Sequence, residues 1–339
     1  MCLFAPDFCT MRMVDWADVR SPAESHDRAM TDEHSRPSVR LPRRIALTLV
    51  AVLALGASVG AGSVSAAYPT NAPMVLQNIS LEDIVTNRGH ICHSTFTHVM
   101  KNFSGVTNTR NYLKAAATCG LKVIAFFSAT ADEATGVVYP SRVAYWVNVA
   151  KSYPALWGYL TVKEPSWHRV NATEIRSLYH AFKVADPSHP VMALFGDTPH
   201  FGTSVNPYTA GMADVVMVDW YPVETAYGGR SMTGTSYVTT GPTNFKRIRA
   251  YVASRTPGTP IWLMVATHRN LAPAYHKKQR PSQALLNRQV REGFAYLGAT
   301  GIAFHTWSNT SYNLDERRDP TMVGWMRLLA GQVHAGTFR

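Results

Sequence analysis

Residues 157–167 read WGYLTVKEPSW, an apolar run that ends in a carboxylate, Glu164, and a proline. A short apolar run bounded by such residues is typical of a buried strand. The last residue of a buried strand lies at the edge of the sheet that the strand helps to build. We therefore expect Glu164 to stand at the mouth of a sheet or barrel.

Similar apolar runs recur along the chain, and amphipathic helical stretches separate them. The helix after Asn171 has the clearest signals, because Glu174 completes a capping box and Asp186 precedes a proline that stops it. Other helices are predicted after Ser141, Thr243 and Ser282 and from Asp319. The predicted strands are 96–103, 122–128, 157–163, 190–195, 214–221, 260–267 and 301–307, with an eighth near 74–79.

This alternation predicts parallel strands joined by crossover helices. Eight such units in about 250 residues match the size of a (β/α)₈ (TIM) barrel. A doubly wound sheet would need a glycine-rich phosphate turn after an early strand, and the sequence has none. We therefore predict an α/β protein with a single (β/α)₈ barrel.

Residues 1–66 differ from the rest and are typical of a leader with a signal peptide. A basic stretch over 36–44 precedes an apolar run over 45–59, and small residues follow as far as Ala66. The run is short for a membrane span of about 20 residues, although a retained N-terminal anchor is the alternative. We expect 67–339 to form the barrel domain, secreted or associated with the cell envelope, with no stable membrane span after cleavage.

The chain has a net charge of +11, from 33 Lys and Arg and 22 Asp and Glu. Residues 1–66 hold seven of each sign, so the excess belongs to the barrel domain. A basic surface favours anionic partners such as wall polymers, uronic or phosphorylated glycans or lipid headgroups, and a charge that serves only solubility is the alternative. Nucleic acid is disfavoured, since the Lys and Arg look scattered and no recognition motif accompanies them.

Two of the four cysteines, Cys92 and Cys119, lie outside the leader. An even pair in an exported domain predicts one disulfide, and two buried free thiols are the alternative. No spacing of Cys and His residues is that of a metal site. We expect neither a metal ion nor a cofactor.

Candidate site residues follow from the barrel, whose working groups collect at the C-terminal ends of the strands. Aromatic residues at these ends present faces that stack on sugar rings, although a core position is the alternative for each of them. For His305, a hydrogen-bonded core histidine is the alternative. The candidates are the carboxylates Glu164 and Asp219 for catalysis, and Trp167, Tyr221, His268, His305 and Trp307 for substrate binding.

The chain resembles the (β/α)₈-barrel glycoside hydrolases that carry an Asn-Glu-Pro or Asp-Glu-Pro signature at the end of strand four. Glu164 and its proline match the Glu-Pro, and the resemblance covers most of residues 94–330. Residues 219–222 resemble strand six and residues 301–308 resemble strand eight. The resemblance implies that Glu164 is a general acid/base and that Trp307 forms the floor of a sugar site.

Two positions depart from the family pattern. Lys163 stands where the family has Asn or Asp, and Val265 or Ala266 stands where strand seven carries its glutamate nucleophile. A retaining glycosidase needs two carboxyl groups about 5–5.5 Å apart, whereas an inverting one needs an acid and a base about 6.5–9.5 Å apart. We therefore predict an inverting hydrolase with Glu164 as acid and Asp219 as base.

Each assignment has an alternative. Glu164 would be held in an ion pair at the barrel mouth, and Asp219 would cap loop amides. The barrel would then bind glycan or a cell-wall polymer without turnover. A metal-dependent hydrolase that uses His268, His305 and Asp219 is a third alternative, although their spacing is not that of a known motif. We predict a monomeric, divergent glycoside hydrolase whose substrate is a poly- or oligosaccharide, with an anionic one favoured by the basic charge.

Overall fold

The computed structural model describes residues 68–132, 135–196, 200–220, 224–227, 230–232, 234–267, 281–309, 314–315 and 319–338. The predicted leader and two of the candidate site residues, Tyr221 and His268, lie outside these ranges. Trp167 is described for its backbone alone.

Eight parallel strands close into a barrel in which each strand pairs with its neighbours in the chain and the last pairs with the first. The predicted barrel is confirmed, and every predicted strand end lies within two residues of the observed one. The strands are β1 (Met74–Gln77), β2 (His98–Phe103), β3 (Lys122–Phe127), β4 (Leu156–Lys163), β5 (Val191–Phe195), β6 (Val215–Trp220), β7 (Ile261–Ala266) and β8 (Gly301–His305).

Helices surround the barrel. The capping box of the fifth helix is confirmed, because the Asn171 side chain accepts from the Glu174 amide and the Glu174 side chain accepts from the Asn171 amide. The sixth helix begins earlier than predicted, because it continues through Pro242, a residue that suits a first turn. The helices are α1 (Leu81–Val85), α2 (Val106–Thr118), α3 (Val143–Ala150), α4 (Pro165–His168), α5 (Ala172–Ala185), α6 (Gly234–Arg255), α7 (Gln283–Glu292) and α8 (Pro320–His334).

The strands are buried on both faces, which explains their nearly continuous apolar sequences. Outward side chains pack under the helices: Phe127 of β3 stacks on Trp146 of α3, and Tyr159 of β4 stacks on Phe182 of α5. Alternate residues face the barrel interior. The core therefore has two layers, one inside the barrel and one between strands and helices.

Aromatic side chains close the N-terminal end of the barrel. The rings of Trp157 and Trp262 lie 4.9 Å apart, and His98 meets both edge-on, at 5.6 and 5.7 Å. Trp157 reaches this cluster because β4 has a register shift there relative to β3. These tryptophans are core residues, and the opposite end of the barrel is left for the working groups.

A disulfide joins Cys92 to Cys119 at the end of α2, as predicted from the even pair of cysteines. Cys92 follows a short 3₁₀ turn, Arg88–His90, in the connection between β1 and β2. The bond therefore fixes this connection against the helix layer. Among the described helices, none combines the length and the apolar character that crossing a bilayer requires.

Candidate functional site

Glu164 lies directly after β4, at the C-terminal end of the barrel, and precedes α4. Its backbone is left-handed, with φ 47° and ψ 61°, and its amide donates to the Leu194 carbonyl of β5 at 2.7 Å. This conformation costs a non-glycine residue about 1–2 kcal/mol. Strained residues of this kind occur at functional sites, and six other described non-glycine residues also have a positive φ.

The second predicted carboxylate, Asp219, belongs to β6 and is 4 % exposed. Its neighbour Val218 pairs with Phe195, whose ring packs outward against Phe201 and Tyr208. Because side chains alternate along a strand, Asp219 faces the barrel interior. The polypeptide thus places a buried carboxylate inside the mouth, two strands away from Glu164.

Both carboxylates lie beside Gly196, the residue after β5. A methyl group at Gly196 would lie 2.8 Å from Oε1 of Glu164 and 3.3 Å from Oδ1 of Asp219. Two atoms that close to one point are at most about 6.1 Å apart. The glycine leaves the space that both carboxylates use, a role that the sequence analysis missed. A glycine directly after a buried strand was the available signal.

Strand β7 has alanine where the family has its nucleophile. Leu263 faces outward, because its side chain packs against Gly293 of the π-helical segment Gly293–Leu297. Alternation then turns Val265 outward and Ala266 inward, and Ala266 pairs with His305 of β8. The inward position at the end of β7 therefore carries no carboxylate.

Lys163, which stands where the family has Asn or Asp, is half-buried at the end of β4. A register shift between Leu160 and Lys163 pairs Lys163 with Leu194. Its Nζ lies 4.8 Å from the centroid of the Phe126 ring of β3. The face of an aromatic ring attracts an ammonium group at this distance. The mouth therefore holds a cation as well as two carboxylates.

Trp307 lies just past β8 and is 1 % exposed. Gly89 of the 3₁₀ turn covers its ring, since a methyl group there would lie 2.5 Å from Cη2. The indole Nε1 has no hydrogen-bond partner among the described residues. Because the side chain is buried, a sugar would reach the ring only after a rearrangement, so the role of Trp307 as the floor of a sugar site stays a prediction.

His305, at the end of β8, is half-buried, and its Nδ1 contacts Oε1 of Gln77 in β1. Gln77 is itself buried, and its carbonyl accepts from the Trp307 amide at 2.8 Å. Gln77 thus orients the end of β8, although the sequence analysis did not single it out. The contact agrees with the hydrogen-bonded alternative for His305 and leaves the proposed substrate contact untested.

Metal binding was one alternative for Asp219 and His305. Within the ranges that the structure describes, no three His, Cys, Asp or Glu residues are grouped to hold a metal ion. His268, the third residue of that alternative, lies outside these ranges. The described geometry places the carboxylates of Glu164 and Asp219 beside Gly196, and carboxyl groups can donate and accept protons.

No protein-family model matches the chain, and no curated protein matches it. Solved structures do. The β-galactosidase from the psychrophilic Marinomonas ef1 has a TM-score of 0.57 at 12% identity, over 77% of this chain and 59% of that enzyme. GH5_18 from Streptomyces cattleya, solved in complex with Manβ1-4GlcNAc, has a TM-score of 0.54 at 12% identity, over 78% of this chain and 80% of that one.

The Faecalibacterium prausnitzii β-glucuronidase has a TM-score of 0.52 at 11% identity, over 78% of this chain and 49% of that one. The shared feature is the fold. These structures are glycoside hydrolases with an eight-stranded parallel barrel, and this chain has the same kind of barrel. It spans 59% of the length of the galactosidase. These similarities therefore show the fold and leave activity and substrate to the residues of the site.

Proposed function

We propose that this protein is a secreted, divergent glycoside hydrolase in which Glu164 is the acid and Asp219 the base. The convergence of the two carboxylates at Gly196, inside the mouth of a hydrolase-like barrel, carries the proposal. Glu164 would donate its proton to the glycosidic oxygen as the bond to the anomeric carbon breaks. Asp219 would accept a proton from the water that attacks that carbon on the opposite face.

The separation of the two carboxylates bears on the stereochemical course. The Oε1–Oδ1 separation is at most about 6.1 Å, which includes the retaining range and falls short of the inverting one. An inverting reaction therefore needs the Glu164 side chain to turn away from Asp219 when the sugar and water enter. The alanine at 266 favours this course, because β7 offers no nucleophile for a covalent intermediate.

Glu164→Gln tests the acid. The variant should lower kcat at least about 10²-fold on whichever 4-nitrophenyl glycoside or polysaccharide the wild type cleaves, with little change in Tm. Glu82→Gln is the matched control, because Glu82 is exposed and its ion pair among the described residues is with Arg88 at the surface. Unchanged turnover in Glu164→Gln would remove the proposal. An NMR assay of the first-formed anomer tests the course, and retained configuration would contradict the assignment of Asp219 as base.

A second candidate function is glycan binding without turnover. It is favoured by Ala266, because the strand-seven carboxylate of the family is missing. In that case the wild type would bind an oligosaccharide and release no product, and Glu164→Gln would keep the wild-type Kd. Product release by the wild type that depends on Glu164 would exclude it.

Export is part of the proposal and has its own support. The leader pattern and the Cys92–Cys119 disulfide both fit an oxidising compartment. We expect the mature protein to begin just after Ala66 and to be a monomer. N-terminal sequencing of the exported protein and its mass in solution test these points. A protein retained in the cytosol with residues 1–66 intact would contradict export.

A further inference from the structure

The positive charge of this chain is concentrated in one segment. Residues 225–291 contain eleven Lys and Arg and no Asp or Glu, whereas the rest of the chain contains 22 of each sign. The net charge is concentrated because this segment lacks acidic residues, while 22 of the 33 Lys and Arg lie elsewhere in the chain. The net charge of +11 therefore equals that of residues 225–291, which include α6, β7 and all of α7 except its last residue, Glu292.

Helix α6 contains four of the eleven basic residues of this segment. It is 22 residues long and contains Lys246, Arg247, Arg249 and Arg255 but no acidic residue. Arg247 turns inward and donates to the Phe201 carbonyl at 2.7 Å. Lys246 and Arg249 are exposed, and no described carboxylate forms an ion pair with either of them. These two cations are thus available to a partner.

Lys246 and Arg249 border a groove of about 310 Å³ on the outer surface of the barrel, here called the α6 groove. The groove residues of α6 lie three, four and seven positions after Lys246, so they share one face of the helix. Three of its lining residues are alanines, and the Lys246 ammonium lies 4.9 Å from the centroid of the Tyr296 ring. The groove is lined by Lys246, Arg249, Ala250, Ala253, Ala295 and Tyr296.

We propose that the α6 groove binds an anionic polysaccharide, a polymer of uronic acids. Its carboxylates would pair with Lys246 and Arg249, while the small alanine side chains let a sugar ring approach the backbone and the edge of Tyr296. Strands of nucleic acid are bound by series of exposed aromatic rings that stack on successive bases, and the groove has one half-buried ring. The groove lies in the helix layer, so the inference stands apart from catalysis at the mouth.

The test compares the binding of polygalacturonate and of its neutral methyl ester by the purified full chain, using titration calorimetry. Lys246→Gln/Arg249→Gln should weaken the Kd for polygalacturonate about tenfold. The matched control is Arg110→Gln/Lys114→Gln, because these cations are exposed on one face of α2 and give the same change in net charge. The control should change the Kd less than threefold, and the ester should bind more than tenfold more weakly.

A Glu164→Gln background keeps cleavage out of the measurement. A Tyr296→Leu variant separates a glycan from a simple polyanion, since it should weaken polygalacturonate binding but leave inorganic polyphosphate binding unchanged. Equal losses of affinity for polygalacturonate in the two double variants would contradict binding in the groove. A wild type that does not bind polygalacturonate would contradict it as well. Tighter, groove-dependent binding of an oligothymidylate or of phosphatidylglycerol vesicles would overturn the choice of partner. Inactivity of the protein on all glycosides would leave these results unaffected.

Discussion

Substitution of Gly196 by alanine should disturb the carboxylate pair without disrupting the barrel. The new methyl group would lie 2.8 Å from Oε1 and 3.0 Å from Cγ of Glu164, whereas ordinary contacts begin at 3.4 Å. Oε1 must therefore withdraw by about 0.6 Å. A displacement of about 1 Å costs about 10²-fold in rate, so we expect kcat to fall at least about tenfold.

The same substitution should cost little stability. Overpacking costs about 1–3 kcal/mol, and the lower end applies because the end of the Glu164 side chain can move. For a domain of this size that corresponds to a Tm about 2–4 °C lower. Urea unfolding and thermal scans measure it, together with kcat, or with the Kd for glycan if the protein only binds.

Gly324→Ala is the control, because nothing in the described structure beyond its chain neighbours and its own helix backbone lies within 4 Å of the added methyl group. Gly324 lies inside α8, where alanine favours the helix by about 1 kcal/mol. We expect a slightly higher Tm and unchanged kcat. A Gly196→Ala protein with the kcat of the wild type would refute the idea that this glycine sets the geometry of the pair.

Three further predictions concern stability. Burial, and to a lesser extent Lys122, lowers the pKa of His98 from 6.5 to about 4. As the pH falls, His98 is therefore protonated in the unfolded chain before it is protonated in the folded protein. The free energy of unfolding should drop by about 3 kcal/mol between pH 6.5 and 4. His98→Phe should lack this drop. Urea-unfolding midpoints that fall equally with pH in the wild type and in the variant would contradict the prediction. Replacement of both Cys92 and Cys119 by alanine should lower the free energy of unfolding by about 3–4 kcal/mol, given the separation of 27 residues, and a smaller loss than 1 kcal/mol would count against it. Glu164→Gly should be about 1 kcal/mol more stable than Glu164→Ala in urea, because only glycine adopts the left-handed backbone without strain; equal midpoints would argue against that conformation.

The barrel could be predicted because parallel strands buried on both faces leave long apolar runs in the sequence. The run at 157–163 and the capping box at Asn171 are local signals, and the structure follows both. The start of α6 could not be predicted in the same way. Pro242 suits a first turn, and only the surrounding structure makes the helix continue through it.

The site was predictable in position but less so in detail. A continuous apolar run conceals which residues face inward, so the sequence left Val265 and Ala266 as equal candidates for the strand-seven position. The packing of Leu263 against Gly293 decides between them. The cover over Trp307 comes from Gly89, more than 200 residues earlier in the chain. Contacts of that range have no local sequence signal.

Ala266 has a consequence for the fate of the sugar. Enzymes that form a covalent glycosyl intermediate can release it to an alcohol as well as to water, and they lengthen glycans in this way. A methyl side chain at the end of β7 cannot hold such an intermediate, and in the proposed inverting course, with Asp219 as the base, water attacks in the only displacement step. Methanol added to the reaction would then yield no methyl glycoside, and this barrel would be suited to degrading glycans and unable to build them.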